Sequence, residues 1–142
     1  MFEIRTVESL EPLRILQQAA EAAVAMPPLD QWLLPDHIGL WVATAEGPAG
    51  AVLLVPCRRS GNRVAKYQLG WIYVLPSFRR TGLGIKLMAA AAEQAASRGA
   101  SAIEITLSPD FQHLLSWFTA LPSVPGVGFV VTLARRPAMA GV

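Results

Sequence analysis

The stretch from Trp71 to Gly84 constrains the fold of this chain more than any other part of the sequence. Apolar and aromatic residues run into a basic loop, and two glycines, Gly82 and Gly84, then open an alanine-rich segment. This order predicts a buried strand that turns directly into a helix. Glycine lets backbone N–H groups approach a ligand closely, and a helix N-terminus carries partial positive charge. Together with Arg79 and Arg80, these amides are predicted to form a cradle for phosphate oxygens.

The spacing of the glycines excludes the best-known phosphate loops, because the loop matches neither GxGxxG nor GK[ST]. The whole run instead resembles the pyrophosphate-binding motif of the GNAT acyltransferase superfamily, written Q/R-x-x-G-x-G/A. The chain reads Arg79-x-x-Gly82-x-Gly84, and the V-x-P that precedes the motif in the family begins here at Val74. The alternative interpretation is a strand-to-helix turn in some other α/β protein.

The order of elements is predicted from hydrophobic periodicity and from the positions of glycine and proline. Predicted strands cover Phe2–Val7, Leu40–Ala45, Ala49–Cys57, Val64–Leu75, Ala102–Leu107 and Gly128–Ala134. Predicted helices cover Ser9–Ala25, Leu29–Ile38, Gly82–Arg98 and Asp110–Leu121.

The resulting order, β-α-α-β-β-β-α-β-α-β, is that of the GNAT superfamily, so the resemblance extends over nearly the whole chain. It implies an α/β fold on a mixed sheet, in which two central parallel strands splay apart at one end. Family members close this sheet with a hairpin after a Gly-Phe pair, here Gly128-Phe129. Only Val130–Arg136 remains for a strand before Pro137, so the C-terminal strand is expected to be shortened or missing. An open sheet edge invites pairing with another chain.

Length and composition predict a single domain over residues 1–142. Charged residues make up 15% of the chain, against about 25% in ordinary soluble domains, and 53% of the residues are hydrophobic. Because a small domain has too much surface to bury all of them, some apolar surface is expected to face a partner. Together with the open edge, this predicts a homo-oligomer or a subunit of a larger assembly.

The chain is predicted to be cytoplasmic. Its first residues lack a basic segment followed by an apolar run, and no apolar segment reaches the ~18 residues of a membrane span. The single cysteine, Cys57, has no partner for an internal disulfide, which fits a reducing compartment. Arg58 and Arg59 beside it favour a lowered thiol pKa. A lone cysteine is nevertheless more often a small strand residue than a nucleophile, and we prefer that interpretation. No metal site is predicted.

Charge is segregated along the chain. Residues 1–46 contain seven acids and two bases, whereas residues 47–92 contain seven bases and no acid. An acid-free centre around a phosphate cradle suits a polyanionic ligand such as coenzyme A. Nucleic acid is disfavoured as a partner, because the bases from Arg58 to Lys66 cluster around one turn without interleaved aromatic residues.

The resemblance also implies roles for individual residues, with acetyl-CoA as the co-substrate. The Val74 backbone would meet the pantetheine and thioester, and Ser108 and Asp110 stand where the family often has an asparagine beside the pantetheine arm. The pyrophosphate would be held by residues of the motif, namely Arg79, Arg80, Thr81, Gly82, Leu83 and Gly84.

Two positions depart from the family pattern. The position of the family's general-base glutamate corresponds to Gln68, which does not take up a proton at neutral pH. The position of the family's general-acid tyrosine corresponds to Trp117 or Phe118, and neither donates usefully to sulfur. The remaining titratable side chains near the motif are Tyr67, Tyr73, Glu104 and His113. We take Tyr73, His113 and Gln68 as the candidate catalytic residues, although His113 is equally compatible with an exposed helix position.

These features predict an acetyl-CoA-dependent N-acyltransferase. Acids in the first two helical segments, together with nearby Trp32 and Trp41, favour a cationic amine as acceptor; these acids are Glu8, Glu11, Glu21, Asp30 and Asp36. The alternative for this region is a solvated helix face with tryptophans in the core. The second functional hypothesis is a catalytically degenerate GNAT-fold protein that serves as a structural or interaction subunit.

Overall fold

The computed structural model of the chain describes residues 2–20 and 26–134. Six strands form one mixed sheet in chain order. They are β1 (Phe2–Thr6), β2 (Ile38–Thr44), β3 (Gly47–Ser60), β4 (Arg63–Val74), β5 (Ala102–Leu107) and β6 (Gly128–Leu133). The helices are α1 (Glu11–Ala19), α2 (Leu83–Ser97) and α3 (Leu115–Thr119), with 3-10 segments at Leu29–Leu33, Pro76–Phe78 and Pro109–Leu114.

The sheet divides between β4 and β5. Strands β1 to β4 form an antiparallel meander, whereas β5 runs parallel to β4 and β6 runs parallel to β5. Only Lys66–Gln68 of β4 pairs with Ala102–Glu104 of β5; beyond this, β4 continues to Val74 and β5 to Leu107. The two parallel strands therefore diverge and leave a gap between them, which confirms the predicted fold.

Helices cover both faces of the sheet. The small side chains Ala91, Ala92 and Ala95 of α2 are fully buried against one face. On the other face, α1 packs through Leu13 and Leu16, which are also fully buried. We call these the α2 face and the α1 face.

A bulge in β4 decides which side chains reach each face. The ladder with β3 skips Gly70, and one extra residue reverses the alternation of a strand. Tyr67 before the bulge is therefore buried on the α2 face, whereas Trp71 and Tyr73 after it belong to the core of the α1 face. Gln68, which precedes the bulge and neighbours Tyr67, shares the α1 face with them.

The first helix differs at both ends from the prediction, which placed its cap at Ser9 and its last residue near Ala25. α1 begins at Glu11, and its first turn contains Pro12. Proline is favoured there because an N–H in the first turn has no partner within the helix, so its absence breaks no hydrogen bond. The φ of proline is also already helical. Ala20 is extended and ends the helix, and residues 21–25 of the prediction lie outside the described residues.

The two other short helices also differ from the prediction. The segment predicted as Leu29–Ile38 is helical only to Leu33, and β2 has already begun at Ile38. Leu34 precedes Pro35 and is extended, with a ψ of 148°, which ends the helical segment. The helix predicted over Asp110–Leu121 is a 3-10 segment followed by the short α3.

Strand β6 forms one edge of the sheet among the described residues. It pairs with β5 along its whole length and ends at Leu133, and residues 135–142 lie outside the description. The side chains of Val130 and Leu133 are 47% and 46% exposed. Self-association through this edge stays a prediction.

Gly50 of β3 provides a test of the close contact between β3 and β4. A Cβ there would lie 2.6 Å from the Tyr73 carbonyl oxygen and 3.3 Å from the Val74 Cα, both backbone atoms. Gly50→Ala is therefore expected to lower the free energy of unfolding by about 1–3 kcal/mol, measured by urea denaturation. Gly128→Ala is the matched control, because the nearest atom to its Cβ would be 3.9 Å away. Equal losses in the two variants would contradict this account.

Candidate functional site

Along the gap between β4 and β5, one edge of the β4 backbone has no neighbouring strand. The Leu75 N–H donates to the Ala49 carbonyl of β3 at 2.8 Å. Successive residues of an antiparallel pair point their polar backbone groups in opposite directions. The N–H and C=O of Val74, which lies opposite Gly50, therefore point away from β3. Because β5 has diverged at this level, the Val74 N–H faces the gap.

The Val74 carbonyl is bound by Arg79. The Arg79 Nε–H donates to it at 2.9 Å, and the guanidinium lies over the Tyr73 ring, 5.4 Å from its centroid. The side chain that was expected at the pyrophosphate thus turns back onto the end of β4.

The predicted cradle is the turn that leads into α2. Arg80 and Gly82 have left-handed φ values of 65° and 81°, and the Thr81 hydroxyl donates to a carbonyl within the turn. A Cβ at Gly82 would meet nothing within 4 Å, so the space in front of the turn is open. The first amides of a helix have no partner within it. Because the Leu83 side chain is buried, this residue presents only its backbone to the cradle.

Gly84 joins the cradle to α3. A Cβ at this position would lie 3.2 Å from the Trp117 indole. Trp117 and its buried neighbour Phe118 pack into the core of the α2 face, in an edge-to-face arrangement with ring centroids 4.9 Å apart. A side chain at position 84 would press on the indole, so glycine favours close packing of α2 against α3 whether or not a ligand is bound.

Across the gap, β5 leads into the 3-10 segment that carries Ser108, Asp110 and His113. Ser108 is half-buried, and its carbonyl accepts the Phe111 N–H at 2.9 Å. Asp110 and His113 are exposed, and the His113 ring lies 6.4 Å from the Phe111 ring. Because β4 and β5 are parallel, this segment and the cradle follow strand ends at the same edge of the sheet.

Gln68 and Glu104 lie opposite each other where the gap begins. Glu104 Oε2 contacts Lys66 Nζ at 2.7 Å, and the Lys66 and Glu104 side chains are 29% and 31% exposed. Position 68 lacks the carboxylate of the family's general base, but Glu104 on the neighbouring strand provides a carboxylate at the same level of the sheet. The sequence analysis named Glu104 among the titratable side chains near the motif but did not choose it as a catalytic candidate; an acid within the largely apolar run Ala102–Leu107 was a usable signal.

Cys57 of β3 lies beside this pair, with its Sγ 3.5 Å from the Lys66 carbonyl oxygen. Although the residue is exposed at the surface, partial burial raises the pKa of the Cys57 thiol; Lys66 and Arg58 oppose this shift, and Glu104 adds to it. Arg58 thus lowers the thiol pKa as expected, but burial outweighs its effect. A thiol that stays protonated near neutral pH fits a structural residue.

Three aromatic side chains fill the α1 face beside the gap. Trp32 packs edge-on against Trp71, with centroids 5.8 Å apart, and Trp71 stacks on Tyr73 at 5.4 Å. Their exposures are only 2%, 7% and 4% in that order. The two indole N–H groups and the Tyr73 hydroxyl have no hydrogen-bond partner among the described residues. Trp32 is thus a core residue, as the alternative interpretation held.

The basic residues divide between two ends of β4. In the hairpin region, Arg59 pairs with Asp36 at 2.6 Å and Lys66 pairs with Glu104. Lys66 precedes Val74 by roughly 26 Å at ~3.3 Å per strand residue. The bases of residues 47–92 therefore do not surround one ligand.

The acids of the first two helical segments, which were predicted to attract a cationic acceptor, are only partly available to it. Asp36 is paired, Trp41 lies beneath the Arg5 guanidinium at 5.7 Å, and Glu21 lies outside the described residues. The exposed acids that remain are Glu8, Glu11 and Asp30. Within residues 2–20 and 26–134, no helix is long and apolar enough to cross a membrane, and no acids, histidines and cysteine cluster as metal ligands.

The family model of the GNAT acetyltransferases matches residues 5–120. No curated protein matches the chain. Among solved structures, the chain is similar to AAC(6')-Iy in complex with the bisubstrate analogue CoA-S-monomethyl-acetylneamine. The identity is 17%, the coverage is 97% of this chain and 99% of that chain, and the TM-score is 0.68.

Two further structures share the fold. The aminoglycoside 6'-N-acetyltransferase AAC(6')-Ih of Acinetobacter baumannii is 14% identical, with 97% of this chain and 100% of that chain covered and a TM-score of 0.64. The ribosomal-protein-S18-alanine N-acetyltransferase of Escherichia coli is 16% identical, with 85% and 76% covered and a TM-score of 0.68.

Proposed function

Because the chain belongs to the GNAT acetyltransferase family, we propose that it transfers an acetyl group from acetyl-CoA to a cationic amine. The observation that carries this proposal is the Val74 N–H, a strand-edge donor that faces the gap at the end where the cradle opens. A fixed backbone donor in that place polarises a thioester carbonyl and stabilises the charge that develops on its oxygen.

The cradle suits the pyrophosphate of CoA. The left-handed residues Arg80 and Gly82 turn successive amides outward, and the α2 N-terminus lies directly behind them. In the proposed complex, the amides from Arg80 to Gly84 hold the pyrophosphate, and the gap receives the pantetheine arm. Ser108 and Asp110 line the opposite side of that arm.

The acceptor class is inferred from the α1 face and from the structural neighbours. The names of two neighbours describe N-acetyl transfer, to an aminoglycoside antibiotic and to an alanine of ribosomal protein S18, and the third neighbour is in complex with a bisubstrate analogue that joins CoA to an acetylneamine. In this chain, Glu104 lies where the gap begins, and Glu8, Glu11 and Asp30 are exposed in the segments around α1. Negative charge at these positions favours an ammonium ion over a neutral or anionic acceptor.

The proposed reaction needs one group that accepts a proton and one group that donates a proton. Gln68 and Glu104 lie opposite each other at a level of β4 that precedes Val74 by roughly 20 Å, at ~3.3 Å per strand residue, so neither contacts an amine at the thioester. The acceptor ammonium therefore loses a proton to water, with His113 as the alternative proton acceptor. The nitrogen lone pair then forms the C–N bond, and the C–S bond breaks. The second nitrogen proton replaces the one that Tyr73 gives to sulfur.

A second candidate is a non-catalytic GNAT-fold subunit. It is favoured by Trp117 and Phe118, which pack as core residues at the position of the family's general acid. Binding and turnover measurements separate the two candidates.

Acetyl-CoA at millimolar concentration is expected to raise the melting temperature, because it binds only the folded state. Gly82→Glu should abolish this rise, since its carboxylate repels phosphate within the cradle. Gly61→Glu is the matched control, because Gly61 also has a left-handed φ, 62°, and open space, but lies in the β3–β4 hairpin. A wild-type protein without any rise would reject the cradle and favour the structural subunit.

Thiol release from acetyl-CoA tests the acceptor class. Spermidine and kanamycin are expected to react at least ~10-fold faster than glutamate at equal free-amine concentration, because the α1 face attracts cations. A preference for glutamate would contradict the cationic acceptor. Acetyl-CoA binding without turnover of any amine would favour the non-catalytic candidate.

Tyr73→Phe is expected to lower kcat by about 100-fold or more, as loss of a general acid usually does. Tyr67→Phe is the matched control, because Tyr67 is a buried tyrosine of the same strand on the α2 face. The assignment to Tyr73 is contradicted if His113→Ala removes activity and Tyr73→Phe does not.

A further inference from the structure

We infer that Arg79 is a positioning residue for the Val74 N–H and not a ligand of the pyrophosphate. The inference deepens the proposed acetyl transfer and rests on it. It assigns different tasks to two adjacent arginines that the motif alone places together in the phosphate site.

The peptide group between Val74 and Leu75 is held on both sides. Its N–H donates to the Ala49 carbonyl at 2.8 Å, and its C=O accepts the Arg79 Nε–H at 2.9 Å. Because a peptide group is planar, two bonds on opposite sides fix its orientation. In an ordinary sheet the next strand supplies the second bond, but β5 has diverged at this level. Arg79 takes the place of the missing strand.

Arg79 also contacts the residue before Val74. Its guanidinium lies 5.4 Å from the centroid of the Tyr73 ring, and that ring is 4% exposed and stacked on Trp71. The Val74 N–H belongs to the peptide group between Tyr73 and Val74. Arg79 therefore contacts the chain on both sides of this N–H, once through a ring and once through a carbonyl. Its side chain holds the donor in the direction of the gap.

Arg80 is placed differently. Both side chains are exposed, but that of Arg80 makes no hydrogen bond or ion pair among the described residues, and Arg80 has a left-handed φ of 65° in the turn that forms the cradle. Its charge is available to phosphate oxygens at the surface of the turn. The charge contribution to CoA binding is therefore assigned to Arg80.

Three substitutions separate a donor role from a charge role at position 79. Nε2 of glutamine is as many bonds from Cα as Nε of arginine, so Arg79→Gln keeps an N–H donor without the charge. Arg79→Lys keeps the charge but has a methylene group at that place. Arg79→Met has neither. A positioning residue should tolerate glutamine best, whereas a phosphate ligand should tolerate lysine best.

Kinetics with two thioesters give the first readout, with spermidine or kanamycin as acceptor. Arg79→Met and Arg79→Lys are expected to lower kcat about 10- to 100-fold with acetyl-CoA and equally with S-acetylpantetheine, which lacks the pyrophosphate. The KM for acetyl-CoA should stay within about threefold, and Arg79→Gln should retain most of the activity. A raised KM for acetyl-CoA with normal kcat, rescued by lysine and not by glutamine, would overturn the inference.

Two readouts do not depend on turnover. Calorimetry with CoA should give unchanged affinity for the Arg79 variants and about tenfold weaker binding for Arg80→Gln. In the ligand-free protein, hydrogen exchange of the Leu75 amide should accelerate in Arg79→Met and not in Arg79→Gln, because only methionine releases the peptide group. Unchanged Leu75 protection in Arg79→Met would overturn the inference. Absence of turnover in the wild type with every amine would instead reject the proposed function.

Discussion

The early end of hydrogen bonding between β4 and β5 is the constraint on which the rest of the structure depends. Three residues of each strand pair, and the strands then separate. Separation leaves backbone groups of β4 without a neighbouring strand, and buried or half-buried polar groups need a partner. Arg79 bonds one of them, the Val74 carbonyl, and the adjacent N–H is directed at the gap. The same interruption thus creates both a cleft and a donor aimed into it.

The cradle and the α1 face, which together form the candidate site, are positioned by different features of the backbone. The cradle depends on two left-handed residues and on the close contact of Gly84 with Trp117. The α1 face depends on the bulge at Gly70, which brings Trp71 and Tyr73 to the same side as Gln68. Each arrangement is set by backbone geometry, so the reactive groups sit on strands and a helix start and not on long loops.

The motif and the order of elements were predictable because periodicity and glycine positions carry them directly, whereas the splayed sheet was implied by the family resemblance. Helix ends were placed wrongly, because they depend on local backbone geometry at Pro12 and at Leu34, which Pro35 holds extended. Two features of the site also escaped prediction. A bulge adds one residue, so counting along β4 does not give the face of a side chain beyond Gly70. The direction of the Arg79 side chain depends on a carbonyl left open by another strand, and the sequence does not contain that information.

The short pairing of β4 with β5 also divides the chain into two folding units. The antiparallel meander from β2 to β4 is built from contacts between neighbours in sequence. Strands β5 and β6 follow in sequence only after the crossover helix α2, and β5 pairs with the meander over a short stretch of β4. Local contacts form with less loss of chain entropy, so the meander is expected to form first and the β5–β6 unit to dock afterwards. The gap lies at the joint between these units. A molecule that spans it contacts both, and should make their unfolding more cooperative.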